Sequence, residues 1–172
     1  MNNHKRLIFW FFIGMTLVTI IAGCSSGPQK TSKPSSDWSR GVAVGENAAG
    51  AVSLVVDPDG GRLRLVWPVE TEEGIKFRYL QMDANATPLL QRDLEIASGQ
   101  LRTSRLIAAG DGYLHLFWAQ RREGEKYWEL WYTRLDSQGM LASEARRISA
   151  EGENVGSFAL AGDSLGGVVG VL

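Results

Sequence analysis

The chain has one cysteine, Cys24, and two histidines, His4 and His115. A lone cysteine excludes an internal disulfide, and so few thiols and imidazoles form no cluster with zinc-ligand spacing. Basic residues are not in excess: 18 Lys and Arg stand against 19 Asp and Glu, so the electrostatic footprint of a nucleic-acid partner is missing. No stretch beyond Cys24 sustains a 3.6-residue apolar period, which argues against helix in the body of the protein. Gly166, Gly167 and Gly170 do not open a helix after a strand, so they make no phosphate loop. No cofactor is expected from these patterns. Long apolar runs are also scarce. The longest, Leu7 to Ala22, covers 16 residues and is relieved only by Gly14, Thr16 and Thr19. As a helix it measures about 24 Å at ~1.5 Å per residue, short of the ~20 residues that span a bilayer core.

What surrounds that run is specific. His4, Lys5 and Arg6 precede it, and Ile21-Ala22-Gly23-Cys24 follows, after which the composition changes to Ser25-Ser26-Gly27-Pro28. A charged start, an apolar middle and small residues before a cut describe a secretory signal. With cysteine just past the small residues, it resembles a bacterial lipoprotein signal. The resemblance implies cleavage before Cys24, lipid on Cys24 and export, with residues 1–23 as the signal peptide. Ser25 in place of Asp after the cysteine implies the outer membrane over the outer face of the cytoplasmic membrane in a two-membrane cell. The competing reading is an uncleaved anchor. Either one puts the body of the protein in the cell envelope, and lipidation would use the only thiol, leaving the fold to its core alone.

Loss of Lys5 and Arg6 with the signal leaves 16 basic and 19 acidic residues, a formal charge of −3, over 149 residues. That length suffices for one domain with a real core. Residues 24–48 are assigned to the lipidated N-terminus and a linker; residues 25 to 40 are rich in Ser, Pro, Lys and Gly, a composition too polar to pack.

From residue 49 the chain repeats itself. Leu63-Arg64-Leu65-Val66-Trp67 returns as Leu114-His115-Leu116-Phe117-Trp118 at an offset of 51. Phe77 to Asp83 returns as Leu130 to Asp136 at 53, and Ile107-Ala108-Ala109-Gly110-Asp111 returns from Ala159 to Asp163 at 52. A period of this size means a repeated supersecondary unit packed on its neighbours. Each unit reads as four short strands separated by Asp/Gly turns at Asp57–Gly61, Asp83–Ala86, Gly110–Gly112 and Asp136–Gly139. Looser connections are expected at Pro68–Gly74 and Gln120–Lys126. The fold class is therefore all-β, with four-stranded antiparallel units at 49–98 and 101–150 and a partial one at 154–172.

Four strands at this period is the plan of a β-propeller blade. Asp111-Gly112-x-Leu114-His115-Leu116-x-Trp118, then Trp131-Tyr132-x-Arg134-Leu135-Asp136-x-x-Gly139, then Arg147-Ile148-Ser149 resembles the blades of sialidase-like (BNR-type) propellers. The turn Asp136-Ser137-Gln138-Gly139-Met140 departs from that family's Asp-box, lacking its tryptophan. Residues 49–172 hold about 2.4 units of ~52 residues where closed propellers have about 4–8 blades, so the chain is expected to be the front of a longer protein, the alternative being assembly of several short chains into one ring.

Catalytic candidates are few. His115, between Leu114 and Leu116, is read as packed, because catalysis needs an oriented partner. Asp57 and Asp59 are read as turn residues ahead of calcium ligands. The strand tryptophans admit two readings, filler between units or a stacking platform for sugar rings. The second makes Trp67 and Trp118 the centre of a binding face rimmed by Glu70, Glu72, Glu73, Arg121 and Arg122. Two functions compete: an exported, membrane-anchored binding or scaffold lipoprotein for a glycan or an envelope protein, and a sialidase-like glycoside hydrolase whose catalytic residues lie elsewhere. No catalytic constellation is present, so the enzyme reading is the weaker.

Overall fold

A computed structural model describes residues 43–57 and 59–171. Cys24, the signal and the first part of the linker lie outside the described residues. Among these there is no helix. The strands are β1 (Ser53–Val56), β2 (Arg62–Thr71), β3 (Gly74–Asp83), β4 (Pro88–Leu94), β5 (Gln100–Ala108), β6 (Leu114–Arg121), β7 (Glu129–Leu135), β8 (Arg146–Arg147), β9 (Ala159–Gly162) and β10 (Val168–Val171). They form two antiparallel four-stranded sheets in sequential order, β1-β2-β3-β4 and β5-β6-β7-β8, followed by the β9-β10 hairpin.

The middle strands carry apolar side chains on both faces, as strands covered on both sides do. In β6, Leu114, Leu116 and Trp118 point to one face, where they join Val66, Phe77, Tyr79 and Leu94 of the first sheet in one core. Phe117 and Ala119 point to the other, where Leu130, Val155 and Phe158 form a second core against β9 and β10. On the far face of the first sheet Leu65, Trp67, Val69, Leu80 and Met82 make a third. The two sheets thus pack face to face. Their first strands lie alongside, with the Leu106 N–H donating to the Ser53 hydroxyl across 2.7 Å, and β5 lies in turn against β9.

Two expectations are corrected. Pro68–Gly74 is not a loose connection: β2 runs on to Thr71, pairs with Gly74, and leaves only Glu72 and Glu73 as the hairpin tip. Ten-residue strands whose ladder is satisfied to the end outweigh the charged composition that suggested a loop. The linker assignment also extends too far. Ala48 bridges Val69, the Glu70 N–H donates to the Asn47 carbonyl, and a side chain on Gly45 would collide with the Trp67 ring. Residues 47–49 therefore extend the sheet along the edge of β2, while Val44 and Gly45 lie over Trp67 on its far face.

Candidate functional site

The ends of the two sheets offer different chemistry. At the β2–β3 and β6–β7 end, the turn from Arg122 to Trp128 opens a cleft of about 400 Å³ lined by Gly99, Gln100, Arg121, Arg122, Glu123, Gly124 and Glu125. The hairpin register brings the charges together: β6 pairs Gln120 with Glu129, so the Glu129 carboxylate meets Arg122 at 3.3 Å and Arg147 at 2.8 Å and accepts the Trp131 indole N–H at 3.2 Å. Burial acts to raise the Glu129 carboxyl, but the hydrogen bonds from Arg147 and Trp131 and the nearby Arg122 outweigh it and hold it below the usual range. The Arg121 guanidinium bonds Gln100 and lies 5.1 Å above the Trp128 ring, which Arg102 approaches to 5.8 Å. Guanidinium donors held on indole faces beside the Glu123 and Glu125 carboxylates can bind carboxylate, hydroxyl or amide groups. They supply no nucleophile.

The other end is built on a repeated turn. Asp83, Asp136 and Asp163 each accept, at one carboxylate oxygen, the N–H groups two and four residues on, at 2.7–2.9 Å. These bonds, led by the one from Thr87, hold the Asp83 carboxyl below its usual range. The residue three past each aspartate has a left-handed backbone: Ala86 (φ 61°), Gly139 (φ 71°) and Gly166 (φ 92°). Beside these turns His115 is buried, yet it is not a lone packed side chain. Its Nε2 lies 3.1 Å from Asp111 Oδ1 and its Nδ1 3.0 Å from the Tyr132 hydroxyl. A carboxylate only accepts, so Nε2 carries the proton and, in the neutral ring, Nδ1 accepts from Tyr132. Burial acts to raise the Asp111 carboxyl, but the Tyr113 N–H and His115 hold it below the usual range. Tyr132, His115, Phe117, Arg146, Ile148, Gly166 and Val168 line a cavity of about 270 Å³.

The first sheet has related residues at the matching positions. Arg64 stands for His115 and bonds Asp57 at 2.7 Å, Tyr79 stands for Tyr132, and Arg92, opposite Tyr79 in register, stands for Arg146, opposite Tyr132. In the turn before β2, the Asp57 carboxylate pairs with Arg64 and the Asp59 carboxylate accepts the Gly61 N–H. Among the described residues no group of three or more His, Cys, Asp and Glu side chains could hold a metal ion.

The residues singled out from sequence are divided by the structure. Trp67 and Trp118 are 2% and 0% exposed, in the core rather than on a platform. Their strands continue past them, Trp67 beneath Gly45 and Trp118 edge-on to Phe77 and stacked with Trp131. Glu70, Glu72 and Glu73 are exposed on β2 and its hairpin tip, with Glu73 paired to Lys76. Arg121 and Arg122 are at the cleft. Sequence reasoning passed over Glu129 and Arg147 as partners of Arg122: counting across the β6–β7 turn places Glu129 opposite Gln120, whereas Arg147 arrives from β8 opposite Trp131. It also passed over Asp111 and Tyr132 as partners of His115. No family model, curated protein or solved structure matches the chain.

Proposed function

We propose that this is an exported, lipid-anchored envelope protein whose sheets are successive blades of a β-propeller of the sialidase-like kind, serving as a binding scaffold for a glycan or protein partner. The observation that carries this reading is the succession of two antiparallel four-stranded sheets in the same strand order, first strand beside first strand, with a third pair following in the same sense. Packed sheets joined this way hold loops rigidly at one end, where binding residues accumulate. The cleft around Arg121 and Arg122 is the binding surface in this reading, with Glu72 and Glu73 on the neighbouring hairpin. The Asp111–His115–Tyr132 chain does not favour the hydrolase alternative, because the matching positions of the first sheet hold a buried Arg64–Asp57 pair and a buried Tyr79, residues placed there by packing between sheets.

The anchor is tested with Cys24→Ala, which abolishes radiolabelled fatty-acid incorporation and detergent-phase partitioning; unchanged labelling refutes it. The binding face is tested with Arg121→Ala, Arg122→Ala and Glu72→Ala, which weaken capture of a partner recovered by envelope cross-linking while leaving the melting temperature within about 2 °C, as surface substitutions do. Loss of capture on altering the Asp57–Gly61 and Asp136–Gly139 turns instead would place the partner at the opposite end.

A further inference from the structure

Two arginines beside the cleft have no carboxylate partner. β5 carries a bulge: Leu101 stands opposite Gln120 and Thr103 opposite Ala119, so Arg102 is an extra residue outside the ladder. A bulge re-aims the side chain it carries, and the Arg102 guanidinium lies 5.8 Å from the Trp128 ring. Arg121, opposite Gln100 on β6, lies over the same ring at 5.1 Å. The half-exposed charges nearby are already used, since Glu129 is taken by Arg122 and Arg147. Among the described residues neither Arg102 nor Arg121 enters an ion pair, and Arg121 bonds the neutral Gln100 amide. Two like charges are thus gathered at one indole, an arrangement that costs energy unless an anion joins them. The repeat does not require it. In the first sheet β1 and β2 pair without a bulge, and the positions matching Arg121 and Trp128 hold Glu70 and Ile75. The packing that builds both sheets is shared, whereas this pair belongs to the second sheet.

We infer that Arg102 and Arg121, held on Trp128, bind a tetrahedral oxyanion: the phosphate or sulfate ester of a sugar whose ring lies in the adjoining cleft. This names the ligand class of the cleft around Arg121 and rests on the reading of that cleft as the binding surface. A carboxylate has two oxygens, and one guanidinium fork satisfies both. A tetrahedral ester group presents its free oxygens in different directions and can be gripped by two forks at once. Stacking on the indole holds each planar guanidinium in place, which lowers the ordering cost of binding. The cleft itself, about 400 Å³, adds Gln100, Glu123 and Glu125 to its walls. Those carboxylates repel a second anion but accept hydroxyl groups. They suit a ligand that is charged at one end and hydroxylated at the other.

The full chain, in a detergent free of sugar and phosphate, is titrated by calorimetry with glucose 6-phosphate, glucose 6-sulfate, glucuronate and glucose. Saturable binding of an ester is expected, about tenfold or more tighter than that of glucuronate or glucose, and the tighter of the two esters tells phosphate from sulfate. Arg102→Ala should weaken ester binding about tenfold or more with the melting temperature unchanged, because the residue is exposed. Arg102→Lys should recover only part of the loss, since a point charge does not replace a fork. Arg78→Ala, which removes an arginine of the first sheet, should leave binding unaltered. Equal affinity for glucuronate overturns the inference, as does ester binding insensitive to Arg102→Ala. Absence of ester binding also overturns it, and the reading of the cleft as a binding surface survives that result if Arg121→Ala still loses the cross-linked envelope partner. Binding of phosphatidylglycerol vesicles in place of the sugar esters, lost on Arg102→Ala, would put the anion in a membrane and overturn the glycan assignment.

Discussion

Arg64 and Tyr79 in the first sheet and His115 and Tyr132 in the second occupy the same strand positions, point the same way, and are braced by an aspartate from the same turn. One pair is buried beneath a neighbouring turn and the other borders a cavity. Buried under Gly139, where any Cβ would collide with the Tyr79 ring, the first pair leaves Tyr79 Oη and Arg64 Nε without partners among the described residues; in the second pair, where Tyr132 is half-buried, both imidazole nitrogens and the tyrosine hydroxyl are satisfied. Covering a face therefore costs polar satisfaction, which packing of the surrounding apolar side chains must offset. Histidine suits the second position because it can both donate and accept, whereas the guanidinium of Arg64 offers no acceptor to Tyr79.

The tryptophans give the sharpest way to test how differently the two sheets are held. Trp118 is enclosed between both sheets, and its indole N–H donates to Gln120 at 2.8 Å. Trp67 is covered on its outer side by the short segment at Val44 and Gly45. Trp118→Ala should lower unfolding stability by about 3–5 kcal/mol, and Trp67→Ala by less, because a cavity under one short segment collapses more readily than one between two sheets. Urea unfolding of both variants decides; equal losses would mean that the N-terminal segment holds its face as firmly as a whole sheet does.

Next in size is Gly139→Val. The substitution forces a β-branched residue into the left-handed region and drives it into Tyr79, which should cost about 2–4 kcal/mol. A double variant with Tyr79→Ala separates the two contributions: removing the ring should rescue the collision but not the backbone strain.

Much of this architecture was legible because glycine, aspartate and alternating apolar residues act locally. The Asp57–Gly61, Asp83–Ala86, Gly110–Gly112 and Asp136–Gly139 turns fall where the residues demanded them, and the offset of 51 to 53 between Trp67, Tyr79 and their counterparts corresponds to real equivalence of face and register. What failed was non-local. Pro68-Val69-Glu70-Thr71 looks like a loop until one sees residues 47–49 supplying its edge partners. His115 looked isolated because its partners come from a turn and from the adjacent strand, a juxtaposition that follows only once the β6–β7 register is fixed. The burial of Trp67 depends on a segment whose composition read as linker.

A smaller effect distinguishes the loop ends through pH. Glu129 gathers Arg122, Arg147 and Trp131 in the second sheet, whereas toward the same end of the first sheet the described pairs, such as Arg78–Asp93, are more exposed. The folded-state value of Glu129 is depressed, so its stabilisation is present above the unfolded value of about 4.3 and lost as pH falls through the lower folded one. Glu129→Gln should cost about 1–3 kcal/mol at neutral pH, with the deficit shrinking toward pH 3. Arg78→Ala should cost at most about 1 kcal/mol, as surface pairs do. A deficit for Glu129→Gln that stays constant with pH would show that the carboxylate's charge is not what matters.

The smallest expected effect has the opposite sign. Ala86 and Gly139 hold the same left-handed position in matching turns, but Ala86 rests, half-buried, at the margin of the Trp67 core. A methyl group is therefore tolerated sterically and opposed only by its own backbone, a cost of about 1 kcal/mol. Ala86→Gly relieves that strain while adding unfolded-state entropy and removing a partly buried methyl, so the net gain should be about 0.5 kcal/mol. Gly139→Ala, by contrast, should destabilise, because relief of entropy cannot compensate for a Cβ that collides with Tyr79. Opposite signs in paired thermal melts would establish that the identity of the turn residue is set by what the turn covers. If both changes destabilise, the Ala86 methyl contributes more to the first sheet's outer core than its marginal position implies, and the two turns differ in packing rather than in backbone strain.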